Sequence, residues 1–250
     1  MMRILLWVGL AIGVVRGETS TADKLPGQRQ PVLIELFTSE GCSSCPPADA
    51  LLERLDRTQP VGGAQIIVLS EHVDYWNHIG WADPYSLPAF STLQQQYARR
   101  LRTQGPYTPQ MVVDGRTEFV GSDARSAESA VRDALGRPKV EVHITASEGS
   151  ADIEVDPLPA GKVHKAGVFV AYAADTGTQN VLRGENKGRQ LRHVSIVKEL
   201  KQVGTLDDRM QFKTRIALES GSRFIVFVQE AGNGPVWGAA LMPSRRDAGR

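Results

Sequence analysis

The sequence predicts an α/β domain followed by an all-β domain. Up to residue 138, short apolar runs alternate with segments whose apolar residues recur at helical spacing, a pattern typical of strands connected by helices. Beyond Pro138, apolar and polar residues alternate in short runs between turns, which is typical of half-buried strands. The chain of 250 residues has room for two domains of ordinary size, about 100–200 residues each.

The N-terminus has the pattern of an export signal. Residues 1–3 include a basic side chain, and the twelve residues 4–15 carry no charge. This apolar run is shorter than the roughly 20 residues that a membrane-spanning helix needs, but it fits the core of a signal peptide. We therefore expect cleavage after Gly17 and an exported protein, periplasmic or secreted, with no stable membrane span afterwards. The alternative is an uncleaved N-terminus anchored at the membrane interface.

Charge and cysteine content narrow the function classes. The chain carries 29 basic and 28 acidic residues, and cleavage would remove two arginines, so no basic excess indicates a nucleic-acid partner. The chain has two cysteines, whereas small secreted domains stabilised by disulfides carry more. These two can pair with each other, with a partner protein or with a metal.

The first half predicts seven elements in the order β-α-β-α-β-β-α. A βαβ unit comes first, and its two strands are expected to be parallel. A loop rich in aromatic residues and histidine follows at 71–88. Asp114-Gly115 is a hairpin signal, and Ser122-Asp123 can cap the last helix. The predicted elements are strand 31–37, helix 48–55, strand 65–70, helix 89–102, strands 110–113 and 117–120, and a helix from 123 to about 135.

The second half predicts a β-sandwich. Seven short strands in about 105 residues, without a long helix between them, match the size of an immunoglobulin-like sandwich. The predicted strands are 140–145, 151–155, 166–173, 190–198, 208–218, 223–230 and 236–242.

Cys42 and Cys45 form the central motif, a Cys-Ser-Ser-Cys sequence between a predicted strand and a predicted helix. The free N–H groups and positive dipole end of a helix N-terminus stabilise a thiolate, which is the nucleophile of disulfide exchange. Cys42 is expected to attack a substrate, and Cys45 to resolve the mixed disulfide. The alternatives are a structural disulfide, a chance pair and a metal site.

Other residues are expected to surround the cysteines. In thioredoxin-like folds a cis proline just before a strand lies against the Cys-x-x-Cys motif and binds an extended substrate, so we predict that the Thr108-Pro109 bond is cis and that both residues contact substrate. His72 and Trp76 follow the second strand, at a strand end where α/β folds bind ligands, so we expect them to contact substrate as well. The alternative for the aromatic residues is a satellite core under the loop.

Two further predictions concern acids and histidines. Glu35 precedes the motif on its strand, where a buried carboxylate could relay a proton because desolvation would raise its pKa. The alternative is an exposed carboxylate. The histidines of the second half are expected to be isolated structural or surface residues: His143, His164 and His193.

These observations combine into one predicted architecture, an α/β thioredoxin-like domain followed by an all-β immunoglobulin-like sandwich domain. The expected boundaries are a signal peptide at 1–17, a linker at 18–30, the thioredoxin-like domain at 31–138, the β-sandwich at 139–243 and a tail at 244–250.

Several motifs together resemble a bacterial secreted family catalogued as domain of unknown function 1223. The resemblance covers about residues 31–243 and implies a thioredoxin-like domain followed by a β-rich one, but no established reaction. It is carried by residues 35–49 with Cys42-Ser43-Ser44-Cys45-Pro46-Pro47, by His72-Val73-Asp74-Tyr75-Trp76, Gly80-Trp81, Asp83-Pro84 and Tyr107-Thr108-Pro109-Gln110, and by Gly184-Glu185-Asn186 and His193.

The motif departs from ordinary thioredoxins. Its spacer is Ser-Ser rather than Gly-Pro, and Pro46 and Pro47 follow the second cysteine. Because proline lacks an N–H and clashes with the preceding helical turn, the helix is expected either to begin at Pro46 or to kink there. A start at Pro46 would leave Cys42 one turn outside the helix.

The leading functional hypothesis is an exported thiol–disulfide redox protein that acts on a protein thiol or disulfide and needs no cofactor. Its Cys42 sulfur is expected to be the more exposed of the two and to lie near Thr108-Pro109. One alternative is a copper- or zinc-handling protein that uses Cys42 and Cys45 with His72 or His78, since thiolates and imidazole suit these metals. Another is a non-catalytic interaction protein.

Overall fold

The computed structural model describes residues 29–219 and 221–242. The predicted signal peptide, nearly all of the predicted linker and the predicted tail lie outside the described residues. None of the helices in the described part is long and apolar enough to cross a membrane.

The first half contains the seven predicted elements in the predicted order. Pro46 begins the first helix, which resolves the two expectations for that proline in favour of a start rather than a kink. The strands of the βαβ unit are parallel, with Ile34 beside Val68. The elements are β1 (Gln30–Thr38), α1 (Pro46–Thr58), β2 (Ala64–His72), α2 (Pro88–Leu101), β3 (Gln110–Val113), β4 (Thr117–Val120) and α3 (Ala124–Leu135).

The second half is built from strands, but two of them are much longer than the sequence predicts. The strand predicted at 166–173 extends to residue 180, and the strand predicted at 190–198 extends to residue 207. The elements are β5 (Val142–Ser147), β6 (Ser150–Val155), β7 (Lys165–Asn180), β8 (Gln190–Asp207), β9 (Phe212–Ala217), β10 (Ser222–Glu230) and β11 (Val236–Leu241).

The predicted fold class is wrong, because strands of both halves form one large mixed sheet. Its eight strands lie in the order β11-β10-β7-β8-β2-β1-β3-β4, and β5, β6 and β9 form a separate three-stranded sheet. At the junction of the halves, Ser70 of β2 pairs in parallel with Ile196 of β8. The molecule is therefore mostly β, rather than a thioredoxin-like α/β domain followed by an immunoglobulin-like sandwich.

The physical reason for this arrangement is the open edge of β2. An unpaired strand edge presents N–H and carbonyl groups that need partners when they are buried. The Ser195 hydroxyl also donates a hydrogen bond to the Val68 carbonyl. Alternation of apolar residues indicates that a segment is a strand, but it does not say which strand it will pair with.

Helices cover both faces of the sheet near the junction. On the α1 face, Ile34, Leu36 and Val68 pack with side chains of α1 and α3. On the α2 face, Leu33, Phe37 and Leu69 pack with Phe90 and Tyr97 of α2. Residues of β1 and β2 therefore alternate between two buried environments, and this alternation decides where each polar residue of these strands points.

Candidate functional site

Cys42 and Cys45 form a disulfide at the end of the loop that follows β1. Cys45 is the N-cap of α1, and its N–H donates to the Cys42 carbonyl at 3.2 Å. Pro46 occupies the first helical turn, where its missing N–H costs nothing because that group has no partner within a helix. Cys42 therefore lies in the turn before the helix, and Cys45 at its positive end.

The disulfide is buried. Cys42 and Cys45 each have 0% of their surface exposed, whereas Ser43 and Ser44 between them are exposed. The expectation that Cys42 is the more exposed of the two is therefore not met. The physical reason is that segments distant in sequence pack around the loop.

One of these segments is residues 184–189, which we call the brace segment. The Asn186 side-chain N–H₂ donates to the carbonyls of Glu40 at 2.8 Å and Cys42 at 2.9 Å. The Ser43 N–H donates to Glu185 Oε2 at 3.1 Å. Three contacts thus tie the backbone of the cysteine loop to a segment more than 140 residues further along the chain.

A buried ion-pair cluster lies behind the same loop. His193 Nε2 is 3.2 Å from Glu40 Oε1, and His193 Nδ1 is 3.6 Å from Asp49 Oδ1. Burial by itself would lower the pKa of His193, but the contacts with Asp49 and Glu40 outweigh it and raise that pKa to about 10. His193 is therefore an imidazolium at neutral pH, and the prediction that it is isolated is wrong.

His72 lies beside this cluster. Its Nδ1 is 2.7 Å from Asp83 Oδ2, which also accepts a hydrogen bond from the Glu40 N–H at 2.8 Å. The ring centroids of His72 and His193 are 4.6 Å apart. Burial would raise the pKa of Asp83, but the charge and hydrogen bond of His72 hold it below its usual value. His72 thus contacts the cysteine loop indirectly, because Asp83 Oδ2 binds both His72 Nδ1 and the Glu40 N–H.

Trp76 connects the cysteine loop to Thr108. Its indole N–H donates to the Thr108 hydroxyl at 2.8 Å, and a Cβ added to Gly41 would be 3.0 Å from the Trp76 Cβ. The neighbouring Trp81 donates to Glu40 Oε2 at 2.8 Å. Both tryptophans are partly buried and hydrogen-bonded around the loop.

The Thr108-Pro109 peptide bond is cis, as predicted. Pro109 lies close to the first turn of α1, because a Cβ added to Gly121 would be 3.1 Å from the Pro109 Cβ and 3.2 Å from the Ala48 Cβ. The structure therefore brings Thr108, Pro109, Trp76 and the cysteine loop to one end of the sheet. Substrate binding by these residues stays a prediction.

Glu35 is buried on the face of the sheet that α2 covers. Tyr97 of α2 donates to its Oε2 at 2.6 Å, and α1 covers the opposite face. Burial raises the pKa of Glu35 to about 7, although the Tyr97 hydrogen bond opposes the shift. In the described residues, no hydrogen bond or ion pair joins Glu35 to a cysteine. Its role as a proton relay stays a prediction.

The residues of the metal alternative are not gathered into one site. The two sulfurs are bonded to each other, His72 is paired with Asp83, and His78 is exposed. Within the described ranges, no group of three or more histidine, cysteine and acidic side chains is placed to hold a metal ion. This arrangement does not test copper or zinc binding, which stays an alternative prediction.

Sequence reasoning did not predict the contacts that join Asp49, Asn186 and His193 to the cysteine loop or to each other. The motifs that carried the family resemblance already contained Glu40, Asp49, Asn186 and His193. That resemblance was a signal that these residues share a site, but their distance along the chain hid the contacts.

Comparisons with known proteins support a family assignment without a reaction. The family described as protein of unknown function (DUF1223) matches residues 33–229. The crystal structure of a structural genomics target from Agrobacterium tumefaciens is similar with a TM-score of 0.73 and 26% identity, covering 86% of this chain and 95% of that one. HBP35 of Porphyromonas gingivalis shares the fold with a TM-score of 0.58 at 15% identity, over 86% of this chain and 75% of that one. No curated protein matches the sequence.

Proposed function

The chain belongs to this family of proteins of unknown function, and we propose that it is a thiol–disulfide exchange protein whose Cys42–Cys45 pair trades two electrons with a protein partner. The observation that carries the proposal is the disulfide across a two-residue spacer, with its second cysteine at the start of a helix. That position favours the Cys45 thiolate, which is the leaving group when the disulfide is attacked at Cys42.

A disulfide with a purely structural role would stabilise this protein only slightly. On the chain-entropy relation, a disulfide that closes a four-residue loop stabilises the folded state by only about 2 kcal/mol. The loop around it, in contrast, is held by buried polar contacts to Asn186, His193 and Asp83. The number of buried polar contacts around this short loop favours a role in which the cysteine pair reacts, rather than a purely structural one.

The proposed exchange has two steps. A thiolate of the partner attacks the Cys42 sulfur, which breaks the Cys42–Cys45 bond, forms a mixed disulfide and releases the Cys45 thiolate. A second partner thiolate then attacks the mixed disulfide and releases the Cys42 thiolate. The partner dithiol loses two electrons to become a disulfide, and the cysteine pair gains them and takes up the released protons. The reverse steps reduce a partner disulfide, and the two reduction potentials set the direction.

Exchange also requires the cysteines to become accessible, because both are fully buried. Glu185 and Asn186 of the brace segment bind the backbone of this loop at Ser43 and Cys42, so we propose that movement of the segment uncovers the Cys42 side. We therefore propose a gated pair that exchanges when this segment opens. A persistent disulfide also fits the proposed export to an oxidising compartment.

The test is equilibration of the oxidised full chain with glutathione redox buffers, followed by alkylation of free thiols and mass analysis. We expect a reduction potential above about −300 mV, because structural disulfides have potentials below that value. A Cys45→Ala variant should accumulate a mixed disulfide with glutathione through Cys42, and the matched double variant lacking both cysteines should not. A pair that resists reduction at neutral pH, with a lower potential, would overturn the proposal in favour of a non-catalytic protein.

A further inference from the structure

Two buried carboxylates bracket the cysteine loop. Glu40 lies two residues before Cys42 and is 0% exposed, and Asp49 lies four residues after Cys45 and is 5% exposed. The Asp49 N–H donates to the Cys45 carbonyl at 3.1 Å, so Asp49 belongs to the same helical turn as the disulfide. Both carboxylates therefore belong to the short stretch of chain that carries the disulfide, where negative charge develops when the disulfide is reduced.

Within residues 29–219 and 221–242, His193 is the residue that forms an ion pair with each of the two carboxylates. His193, which is itself buried, has one ring nitrogen 3.2 Å from Glu40 and the other 3.6 Å from Asp49. In the described part of the chain, the rings of His72 at 4.6 Å and Tyr85 at 5.8 Å also face His193. His72 is occupied by its own partner, Asp83. His193 is thus the cation that stands between the two carboxylates.

We propose that His193 is a positioning residue which, by pairing with Glu40 and Asp49, offsets their charge and stabilises the thiolate formed at the cysteine pair. The inference rests on the exchange function proposed above. Like charges disfavour ionisation of a neighbouring group, so two uncompensated carboxylates would disfavour the thiolate. Loss of one partner from a buried ion pair also leaves the other charge unpaired, which is costly.

The signs of the expected effects follow from this charge arrangement. The neutral variant His193→Gln should raise the pKa of the attacking cysteine and lower the equilibrium constant for reduction about tenfold, which corresponds to about 30 mV. Glu40→Gln removes a negative charge, so it should shift both quantities in the opposite direction. The double variant should lie between the two single variants, because their charge changes cancel. His164→Gln is the matched control, since the His164 side chain is 88% exposed.

The experiment uses the full chain of each variant. Equilibration with glutathione, which supplies the two electrons and protons of reduction, measures the equilibrium constant. The ultraviolet absorbance of the thiolate, followed against pH on reduced protein, measures the cysteine pKa. A merely structural role for His193 would lower thermal stability without moving either quantity. Because His193→Gln could fail to fold, Glu40→Gln provides an independent test that keeps the His193–Asp49 pair.

The outcomes separate the two proposals. Opposite shifts for His193→Gln and Glu40→Gln, with a double variant between them and an unchanged control, support the inference. If the wild type exchanges with glutathione but the two variants shift in the same direction or not at all, the inference is overturned and the exchange function stands. A wild-type pair that does not equilibrate with glutathione overturns both.

Discussion

The buried carboxyl of Glu35 makes the stability of this protein depend on pH. It is 1% exposed and accepts a hydrogen bond from Tyr97, and burial raises its pKa from the ordinary value of 4.5 to about 7. Asp114 adds to the rise, and the nearby Glu71, also buried, has a pKa raised well above its ordinary value. Between pH 4.5 and about 7, the folded state therefore holds a proton on Glu35 that the unfolded state has lost.

The sign and size of the effect follow by linkage. Stability falls as pH rises wherever the folded state binds more protons, so the stability from protonated Glu35 is complete below pH 4.5 and lost as pH rises through about 7. At 1.36 kcal/mol for each pH unit, the loss is about 3 kcal/mol. Glu35→Gln is neutral at every pH and can still accept the Tyr97 hydrogen bond. Relative to wild type, it should gain about 3 kcal/mol between pH 4 and pH 8.

Urea unfolding of the oxidised protein, followed by tryptophan fluorescence at a series of pH values, measures this difference. The matched control is Glu148→Gln, because Glu148 is exposed. It should change stability by less than about 0.5 kcal/mol at every pH, as surface substitutions usually do. A stability difference between Glu35→Gln and wild type that stays constant from pH 4 to pH 8 would refute the reasoning.

Two further predictions concern the brace segment and the β3–β4 turn. Asn186→Ala removes one hydrogen-bond donor from each of two buried carbonyls of the cysteine loop, at about 1–3 kcal/mol, so reduction by dithiothreitol should be at least about fivefold faster. Exposed Asn180→Ala should not change that rate, and equal rates for both variants would argue against gating. Gly115→Ala should lower the midpoint of urea unfolding well below that of Gly149→Ala. Both glycines have positive φ, but only at Gly115 would the new Cβ overlap the Gly234 carbonyl, so equal midpoints would contradict the packing argument.

Local patterns in the sequence were enough to predict the elements that position the cysteine loop. Apolar spacing predicted β1, α1, β2 and α2, and turn residues predicted the β3–β4 hairpin, because these signals act over a few residues of the chain. Pro46 determined where α1 begins, since a proline is tolerated in the first helical turn and not in a helix interior. The two-residue spacer also let the only two cysteines pair.

The tertiary structure alone decided how the halves combine and what surrounds the disulfide. The pairing of β8 with β2 joins the two expected domains in one sheet. It also places His193, which lies in β8, beside Glu40, 153 residues away along the chain. Neither contact can be predicted from neighbouring residues in the sequence, because a strand alternates apolar and polar residues in the same way whichever strand it pairs with. A histidine likewise has the same neighbours in sequence whether it is exposed or buried between two carboxylates. The energy of such contacts depends on distances in space that are set only when the whole sheet has formed.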